Sequence, residues 1–302
     1  MNLLRLLKIP RGWPVVLMVV MAFSPGQRLS ASPYGVFVVH CEPKNADAES
    51  FFNLRDLVVK ADQHGVKLTI DFTPQWAEMI LDNEVFLNWS RLWDESGHEL
   101  AVHHHPYWIS TMRGTTWDGY TNTPLNEIAI DKRDDYLGNM DDYLELLNRL
   151  PGTRTSGTLG ISQPQDMLDW PGDLRFSAEG HELEDIVGRP QIVDYAGHAV
   201  WQMSHGLFWN AAPGELETVY ANAETGDIVA VVTHVSNYEA SPQAAHAVEN
   251  YFAFLGAEDP SGNSLLTVTE AMILSIPEPS TLMLLMVAGG LIVAMPMRRK
   301  CG

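Results

Sequence analysis

The first half of the chain alternates between short β-rich runs and longer stretches with helical spacing of apolar residues. Residues 48–65 carry apolar side chains at intervals of three and four, and a second helix is predicted over 74–97, after a helix start at Thr73-Pro74. Apolar runs flank these stretches, and they predict strands over 34–42, 66–72 and 98–104. This alternation of strand and helix predicts parallel βαβ units.

The pattern weakens in the middle of the chain and returns near its end. Residues 107–130 are polar, aromatic and rich in Gly and Thr, which indicates a long loop, and a helix is predicted over 131–150. The residues between the two ends (33–277) fit one α/β barrel or two small domains, and no repeat or low-complexity linker divides them. The other predicted elements are strands over 192–195, 198–203, 227–234 and 264–271 and a helix over 241–256.

The N-terminus has the three parts of a secretory signal peptide. Three basic residues precede an apolar run over 13–23, and small residues follow at 30–32. The apolar run is too short to span a bilayer comfortably. We therefore predict a signal peptide over residues 1–32 and export of the protein. The alternative is a retained membrane anchor.

The C-terminus combines Pro-Glu-Pro at 277–279, an apolar stretch over 282–297 and three basic residues at 298–300. As a helix, the apolar stretch reaches roughly 25 Å, close to the thickness of the hydrocarbon core, and the basic end favours the cytoplasmic side. These residues alone predict a transmembrane tail anchor.

Segment 277–302 also resembles the PEP-CTERM sorting signal of exported bacterial proteins. That resemblance implies cleavage near 277–279 by an exosortase-type processing enzyme. The protein would then lie in the cell envelope or outside the cell, held in the membrane only transiently by residues 282–297. A permanent single-pass anchor is the alternative.

Charge and cysteine content narrow the range of partners. The chain has a net charge of −19, and the residues between its two ends carry 12 basic and 37 acidic side chains. A surface this acidic disfavours nucleic acid and anionic lipid. If the tail with Cys301 is removed, Cys41 has no cysteine partner in the chain. We therefore predict that Cys41 is buried and packs as a small apolar side chain. An intermolecular disulfide is the alternative.

The stretch GHELAVHHHPYW ends a predicted strand with three consecutive histidines. Strand alternation places His103 and His105 on one face and His104 on the other, and it places His40 and Glu42 together on one face of the first strand. Both pairs stand at the C-terminal ends of predicted parallel strands, where α/β folds build active sites. Two imidazoles and a carboxylate could hold a divalent metal there. Solvated loop ends are the alternative.

These residues resemble the motifs of NodB-like polysaccharide deacetylases. GHELAVHHHP resembles the second motif of the family, in the variant subgroup with His-x-His-Pro, and VVHCEP stands where the family has an acidic strand end. PGTRTSGT resembles the arginine-containing third motif, VVTH the strand with the catalytic histidine, and LLTVTEAM the last strand of the barrel. The motifs keep the family's order over about residues 35–275.

The resemblance implies a distorted (β/α) barrel in a single domain over residues 33–276. It also implies a divalent metal, zinc by analogy, and the hydrolysis of N-acetyl groups on amino sugars. Carried over residue by residue, it assigns Glu42, His103 and His105 as metal ligands and His234 as the general acid.

One position departs from the family, because His40 stands where the family has a general-base aspartate. A neutral imidazole accepts a proton near pH 7, and Asp71 at the end of the second strand is another acceptor. Arg154 would orient groups of the site. The aromatic residues of the predicted loop could stack on sugar rings or pack over the barrel mouth; they are Tyr107, Trp108, Trp117 and Tyr120.

We therefore expect an exported, metal-dependent enzyme that removes acetyl groups from exopolysaccharide or another amino-sugar polymer. One alternative is a catalytically inactive barrel that binds surface polysaccharide; a working base at His40 would favour the enzyme, and failure of His40 to replace the aspartate would favour the binding protein. The other is a different metal hydrolase on the same barrel.

Overall fold

The computed structural model describes residues 32–161, 163–179 and 186–276. The predicted sorting signal and all but the last residue of the predicted signal peptide lie outside the described residues. Within the described ranges, no helix is both long enough and apolar enough to cross a membrane. The predicted anchor at 282–297 lies outside those ranges.

In the part of the chain that the structure describes, the strands join one sheet. They are β1 (Tyr34–Cys41), β2 (Leu68–Phe72), β3 (Glu99–His103), β4 (Ser156–Thr158), β5 (Phe176–Glu179), β6 (Val187–Gly188), β7 (Gln191–Tyr195), β8 (His198–Ser204), β9 (Gly206–Leu207), β10 (Ile228–His234) and β11 (Leu265–Leu266). The α-helices are α1 (Ala48–Gln63), α2 (Pro74–Leu81), α3 (Glu84–Glu95), α4 (Tyr107–Arg113), α5 (Met140–Leu147), α6 (Glu215–Asn222), α7 (Val235–Tyr238), α8 (Pro242–Glu258) and α9 (Val268–Ser275).

The sheet runs in the order β6-β10-β1-β2-β3-β4-β5-β8-β7. From β10 to β8 along this order, all neighbouring strands are parallel. β9 follows β8 after the single residue His205 and pairs with β10. The segment β8–β9 therefore contacts β5 on one side and β10 on the other, and the sheet curls into a distorted barrel. The predicted α/β barrel is confirmed.

Alternation along β1 divides the core into an inner and an outer layer. Val36 and Val38 belong to the inner cluster, together with residues of β10 and α9. His40 continues this inward series, so the strand carries it toward the end of the barrel that the C-terminal strand ends form. The opposite face of β1 packs into the cluster shared with the outer helices, through Phe37, Val39 and Cys41.

Most predicted elements are confirmed to within two residues at each end, including α1, α8 and the strands β1, β2, β3, β7, β8 and β10. The prediction of one helix over 74–97 is wrong, because α2 and α3 are separate helices. The side chain of Asn83 accepts hydrogen bonds from the backbone N–H groups of Val85 and Phe86, which caps a new helix at this point.

The region predicted as a loop over 107–130 contains a helix, α4. Its start is stabilised by Asp166, a residue distant in sequence, whose carboxylate accepts hydrogen bonds from the N–H groups of Trp108 and Ile109 at 3.0 Å. These groups have no intrahelical acceptor. A local sequence pattern could not reveal this partner.

Two further predicted elements are too long, in each case because a capping box begins a helix. The helix predicted over 131–150 is limited to α5, which Asn139 and Asp142 cap reciprocally. The strand predicted over 264–271 ends at Leu266, since Thr267 and Glu270 form a capping box that starts α9.

Candidate metal centre

A pocket opens at the C-terminal ends of the central strands. The parallel register of β1 sets His40 beside His234 of β10 on one side and beside Asp71 of β2 on the other. The cavity has a volume of about 560 Å³, within the range of small-molecule sites. Its lining includes the predicted residues His40, Glu42, His103, His105 and His234.

Glu42, His103 and His105 converge on one point of this pocket. The Nε2 atoms of His103 and His105 are 3.1 Å apart. The carboxylate of Glu42 lies 2.9 Å from His105 Nε2 and 3.4 Å from His103 Nε2. Zinc ligands at about 2.0–2.1 Å in a tetrahedron are separated by roughly 3.3 Å. The three side chains therefore have the spacing that a tetrahedral cation requires.

The other ring nitrogens of the two histidines fix their tautomers. His103 Nδ1 lies 2.8 Å from the carbonyl oxygen of Thr158, and His105 Nδ1 lies 2.8 Å from that of Thr116. A carbonyl oxygen only accepts, so each Nδ1 carries a hydrogen, and in its neutral form each ring presents a lone pair at Nε2. Two lone pairs and the Glu42 carboxylate then face one another, which favours a cation between them. Metal-binding histidines are anchored in the same way.

The charge state of Glu42 suits this role. Burial alone would raise its pKa, but the close approach of His103, His105 and His234 outweighs burial and holds the pKa of Glu42 well below its ordinary value. The strand end that carries it is also fixed, because Trp76 Nε1 donates to the backbone oxygen of Glu42 at 2.9 Å. Glu42 is thus an ionised ligand on a rigid support.

His40 and Asp71 form a buried pair beside Glu42, His103 and His105, which are called the triad below. His40 Nε2 lies 3.7 Å from Asp71 Oδ2, and the ring of His40 stacks on that of His103 at a centroid distance of 4.1 Å. His40 Nε2 is buried without a hydrogen-bond partner among the described residues, and the buried carboxyl group of Asp71 lies against Thr158. Burial lowers the pKa of His40 and raises the pKa of Asp71, each well away from its ordinary value. Both groups are therefore held uncharged.

His234 lies beside His40, and the two rings pack edge-on at a centroid distance of 5.2 Å. The Nε2 atom of His234 is 3.2 Å from Glu42 Oε1, and its side chain is 25% exposed, more than that of any other histidine in this cluster. His234 groups with His40 and Glu42 but not with His103 and His105. It can thus reach both the carboxylate and the open part of the pocket.

His104 points away from the pocket, as strand alternation predicts. It is fully buried, with Nδ1 2.8 Å from Asp118 and Nε2 3.5 Å from Asp169. Burial opposes a charged ring, but the two carboxylates outweigh it and raise the pKa of His104 to about 10. Asp118 also accepts a hydrogen bond from the backbone N–H of His105 at 3.0 Å. The charged network therefore holds the strand end that carries the triad histidines.

The structure does not bring Arg154 to the pocket, so the prediction that it orients the site is corrected. The buried guanidinium donates hydrogen bonds to the backbone oxygens of Leu100, Leu150 and Pro151. Leu100 lies near the start of β3, at the opposite end of the strand from His103. Arg154 thus ties the loop before β4 to the closed end of the barrel.

Two residues of this region were missed by sequence reasoning. His205 is fully buried at the junction of β8 and β9, with its ring 5.5 Å from that of His40. Glu179 lines the pocket at the end of β5, and its Oε1 accepts hydrogen bonds from the N–H groups of Leu159 and Gly160. Burial raises the pKa of Glu179 to about 7. Glu179 is the last residue of β5 and His205 directly follows β8, so a position at a strand end is the one sequence signal that they share.

The aromatic residues of the predicted loop do not line the metal pocket. Trp117 packs edge-on against Tyr107 at 5.1 Å and donates its indole N–H to the backbone oxygen of Tyr120. Tyr120 packs against Tyr143. These contacts match the packing interpretation of the loop.

No family model matches the chain, and no curated protein matches it. Among solved structures, the chain is similar to 4-α-glucanotransferase from Thermococcus litoralis, with a TM-score of 0.52 and 10% identity over 82% of this chain. The chain spans 39% of the length of that enzyme. The likeness concerns the fold alone.

Two candidate polysaccharide deacetylases are also similar. The protein from Mycobacterium smegmatis has a TM-score of 0.45 and 12% identity, covering 78% of this chain and 87% of its own. The protein from Bordetella bronchiseptica, which is involved in O-antigen biosynthesis, has a TM-score of 0.37 and 14% identity, covering 80% of this chain and 90% of its own.

Proposed function

We propose that the protein is a metal-dependent hydrolase that removes acetyl groups from an amino-sugar polysaccharide. One observation carries the proposal. His103 and His105, both anchored through Nδ1, turn their Nε2 lone pairs toward each other and toward ionised Glu42. Such a set of nitrogen and oxygen donors with room for a further ligand is typical of catalytic zinc sites.

Zinc held by Glu42, His103 and His105 would polarise an acetyl carbonyl and acidify water in the pocket. The substrate class comes from the motif resemblance around GHELAVHHHP. A different metal hydrolase on the same barrel would use the same ligands on another substrate.

Two further histidines of the pocket would carry out the proton transfers, His40 as the acceptor and His234 as the donor. His40 is held as a neutral ring and would accept the proton of the attacking water, and the uncharged Asp71 lies 3.7 Å from its Nε2. His234 lies beside His40, with its Nε2 3.2 Å from Glu42, and it is open to the pocket, where it would protonate the departing amine. A proton acceptor and a proton donor next to the metal ligands suit hydrolysis of an amide.

The second candidate function is a catalytically inactive barrel that binds surface polysaccharide. It is favoured by His40, which replaces the family's base aspartate and is deeply buried, with its pKa well below the ordinary value. A weak base at this position would leave a site that binds metal and sugar without turnover.

The test uses residues 33–277 as a purified protein. We expect about one equivalent of zinc per chain and release of acetate from N-acetylated oligosaccharides. Metal binding without acetate release from any N- or O-acetylated glycan would favour the binding protein. Failure to bind a divalent metal would contradict both forms of the proposal.

We also propose that the mature protein is exported and lacks both ends. The proposal is supported by the signal-like residues 1–32 and by the Pro-Glu-Pro, apolar and basic order of residues 277–302. An exosortase-type enzyme would remove the second segment. The intact mass of the protein recovered from the native envelope or medium tests this, and a mass that includes residues 282–302 would establish a permanent tail anchor instead.

A further inference from the structure

Lys44 and Arg113 are exposed basic residues at the pocket. Lys44 lies in the segment after β1, two residues beyond Glu42. Arg113 is the last residue of α4, the helix that follows β3. They thus approach the metal centre from two different strand ends.

The side chains of Lys44 and Arg113 form no ion pair or hydrogen bond with any residue that the structure describes, although residues 33–276 contain 37 acidic and only 12 basic side chains. Arg149 and Arg175 share this state but do not line the pocket. With about three acidic residues for each basic one, carboxylate partners are plentiful. Most of the other basic side chains have a partner. Ion pairs with carboxylates are formed by Arg55, Lys60, Lys67, Lys132 and Arg189, and hydrogen bonds to amide or backbone oxygens are donated by Arg91, Arg133 and Arg154.

The acidic groups of the same pocket are already engaged. Glu42 is bonded by three histidines, and Glu179 accepts the N–H groups of Leu159 and Gly160. The rim therefore presents free positive charge in a protein whose surface otherwise repels anions. Such a local field attracts an anionic ligand and orients it.

We propose that Lys44 and Arg113 bind carboxylate groups of the substrate, so that the protein acts on an acidic polysaccharide in which uronic acids neighbour the acetylated amino sugar. The proposal rests on the proposed function of the pocket and names its substrate class. Lysine and arginine both form charge-assisted hydrogen bonds with carboxylates, and arginine does so with two parallel bonds.

The test compares two tetrasaccharides of equal length. One alternates glucuronic acid with N-acetylglucosamine, and the other contains N-acetylglucosamine alone. Binding is measured by titration calorimetry at low and at high salt for the wild type, Lys44→Gln, Arg113→Gln and the double variant. The matched control is Arg91→Gln, which removes an exposed arginine of α3 outside the pocket.

We expect the wild type to bind the acidic tetrasaccharide at least about tenfold more tightly than the neutral one at low salt. Each single variant should lose about threefold to fivefold of this affinity, the range of an exposed ion pair, and keep its affinity for the neutral sugar. High salt should reduce the preference. The control should bind like the wild type.

Equal affinity of the wild type for the two sugars would overturn the inference. The same holds if the variants lose affinity for the acidic and the neutral sugar to the same extent. Acetate release is measured separately on the same samples. If the acidic preference depends on Lys44 and Arg113 but no acetate appears, the inference stands and the proposed hydrolysis fails. If acetate is released from both sugars at equal rates in every variant, the hydrolysis stands and the inference fails.

Discussion

Replacing His105 and His234 one at a time separates metal binding from proton transfer. His105 Nε2 lies 2.9 Å from Glu42 and 3.1 Å from His103 Nε2, inside the triad. His234 lies outside the triad, with its Nε2 3.2 Å from Glu42 and its ring packed edge-on against His40 at 5.2 Å. His105→Ala should therefore lose both metal and activity, whereas His234→Ala should retain metal and lose turnover.

The expected magnitudes follow from these positions. Mutating a partner that merely orients a ligand costs 10- to 100-fold in metal affinity or activity. His105→Ala removes one of three ligands outright, so its affinity for zinc should fall by at least about 100-fold. Loss of a general acid costs about 10²- to 10⁴-fold in turnover, or roughly 3–5 kcal/mol in the barrier. His234→Ala should fall in that range at unchanged metal content.

The assay measures zinc content by mass spectrometry after dialysis and acetate release from an N-acetylated oligosaccharide. His246→Ala is the matched control, because His246 is an exposed histidine of α8 and should change neither quantity. Thermal unfolding of each variant in the presence of chelator shows whether the fold survives without metal.

Two results would refute this division of roles. Loss of zinc in His234→Ala would place that ring among the ligands and point to the alternative set of His40, Glu42 and His234. Full zinc content in His105→Ala would remove His105 from the site. Equal turnover in His234→Ala and wild type would leave the departing amine without its proposed proton donor.

Three further predictions concern the support of the site. Asp118→Asn should destabilise the fold by about 3–5 kcal/mol in urea unfolding, because it leaves buried, charged His104 with one carboxylate; a loss below about 1 kcal/mol would contradict this. Since the pKa of His104 is raised to about 10, its contribution to stability is complete below the unfolded value near 6.5 and is lost as pH rises toward 10; a flat stability profile over this window would count against the charged network. Cys41→Ser should keep its metal but lose about 1–3 kcal/mol of stability, since it buries a hydroxyl in an apolar cluster; loss of metal would make the thiolate a ligand.

Strand alternation predicted the central part of the site. A period of two places His103 and His105 on the same face without any knowledge of the fold, and it does the same for His40 and Glu42. The parallel order of the strands then implies that both pairs reach the same end of the sheet. Local pattern and topology agree here, and the structure brings the four side chains together.

The errors share a different cause, since each depends on a partner distant in sequence. Helix α4 starts at residues whose N–H groups are satisfied by Asp166, more than 50 positions later. His205 was missed because it stands between β8 and the two-residue strand β9, and the joint role of these strands in closing the barrel is visible only in their pairing with β5 and β10. Arg154 carried the expected motif, but its backbone acceptors hold it at the other end of β3.

The polarity of the barrel interior changes along a single strand. Inward-facing β1 residues are apolar at Val36 and Val38 and become polar at His40. His40 then buries its Nε2 without a hydrogen-bond partner among the described residues. Such an atom costs about 1–3 kcal/mol, and a core of valines would avoid that cost. Stability alone therefore does not explain a buried His40–Asp71 pair directly beside Glu42, His103 and His105, and this supports the proposed role of the pocket in binding or catalysis.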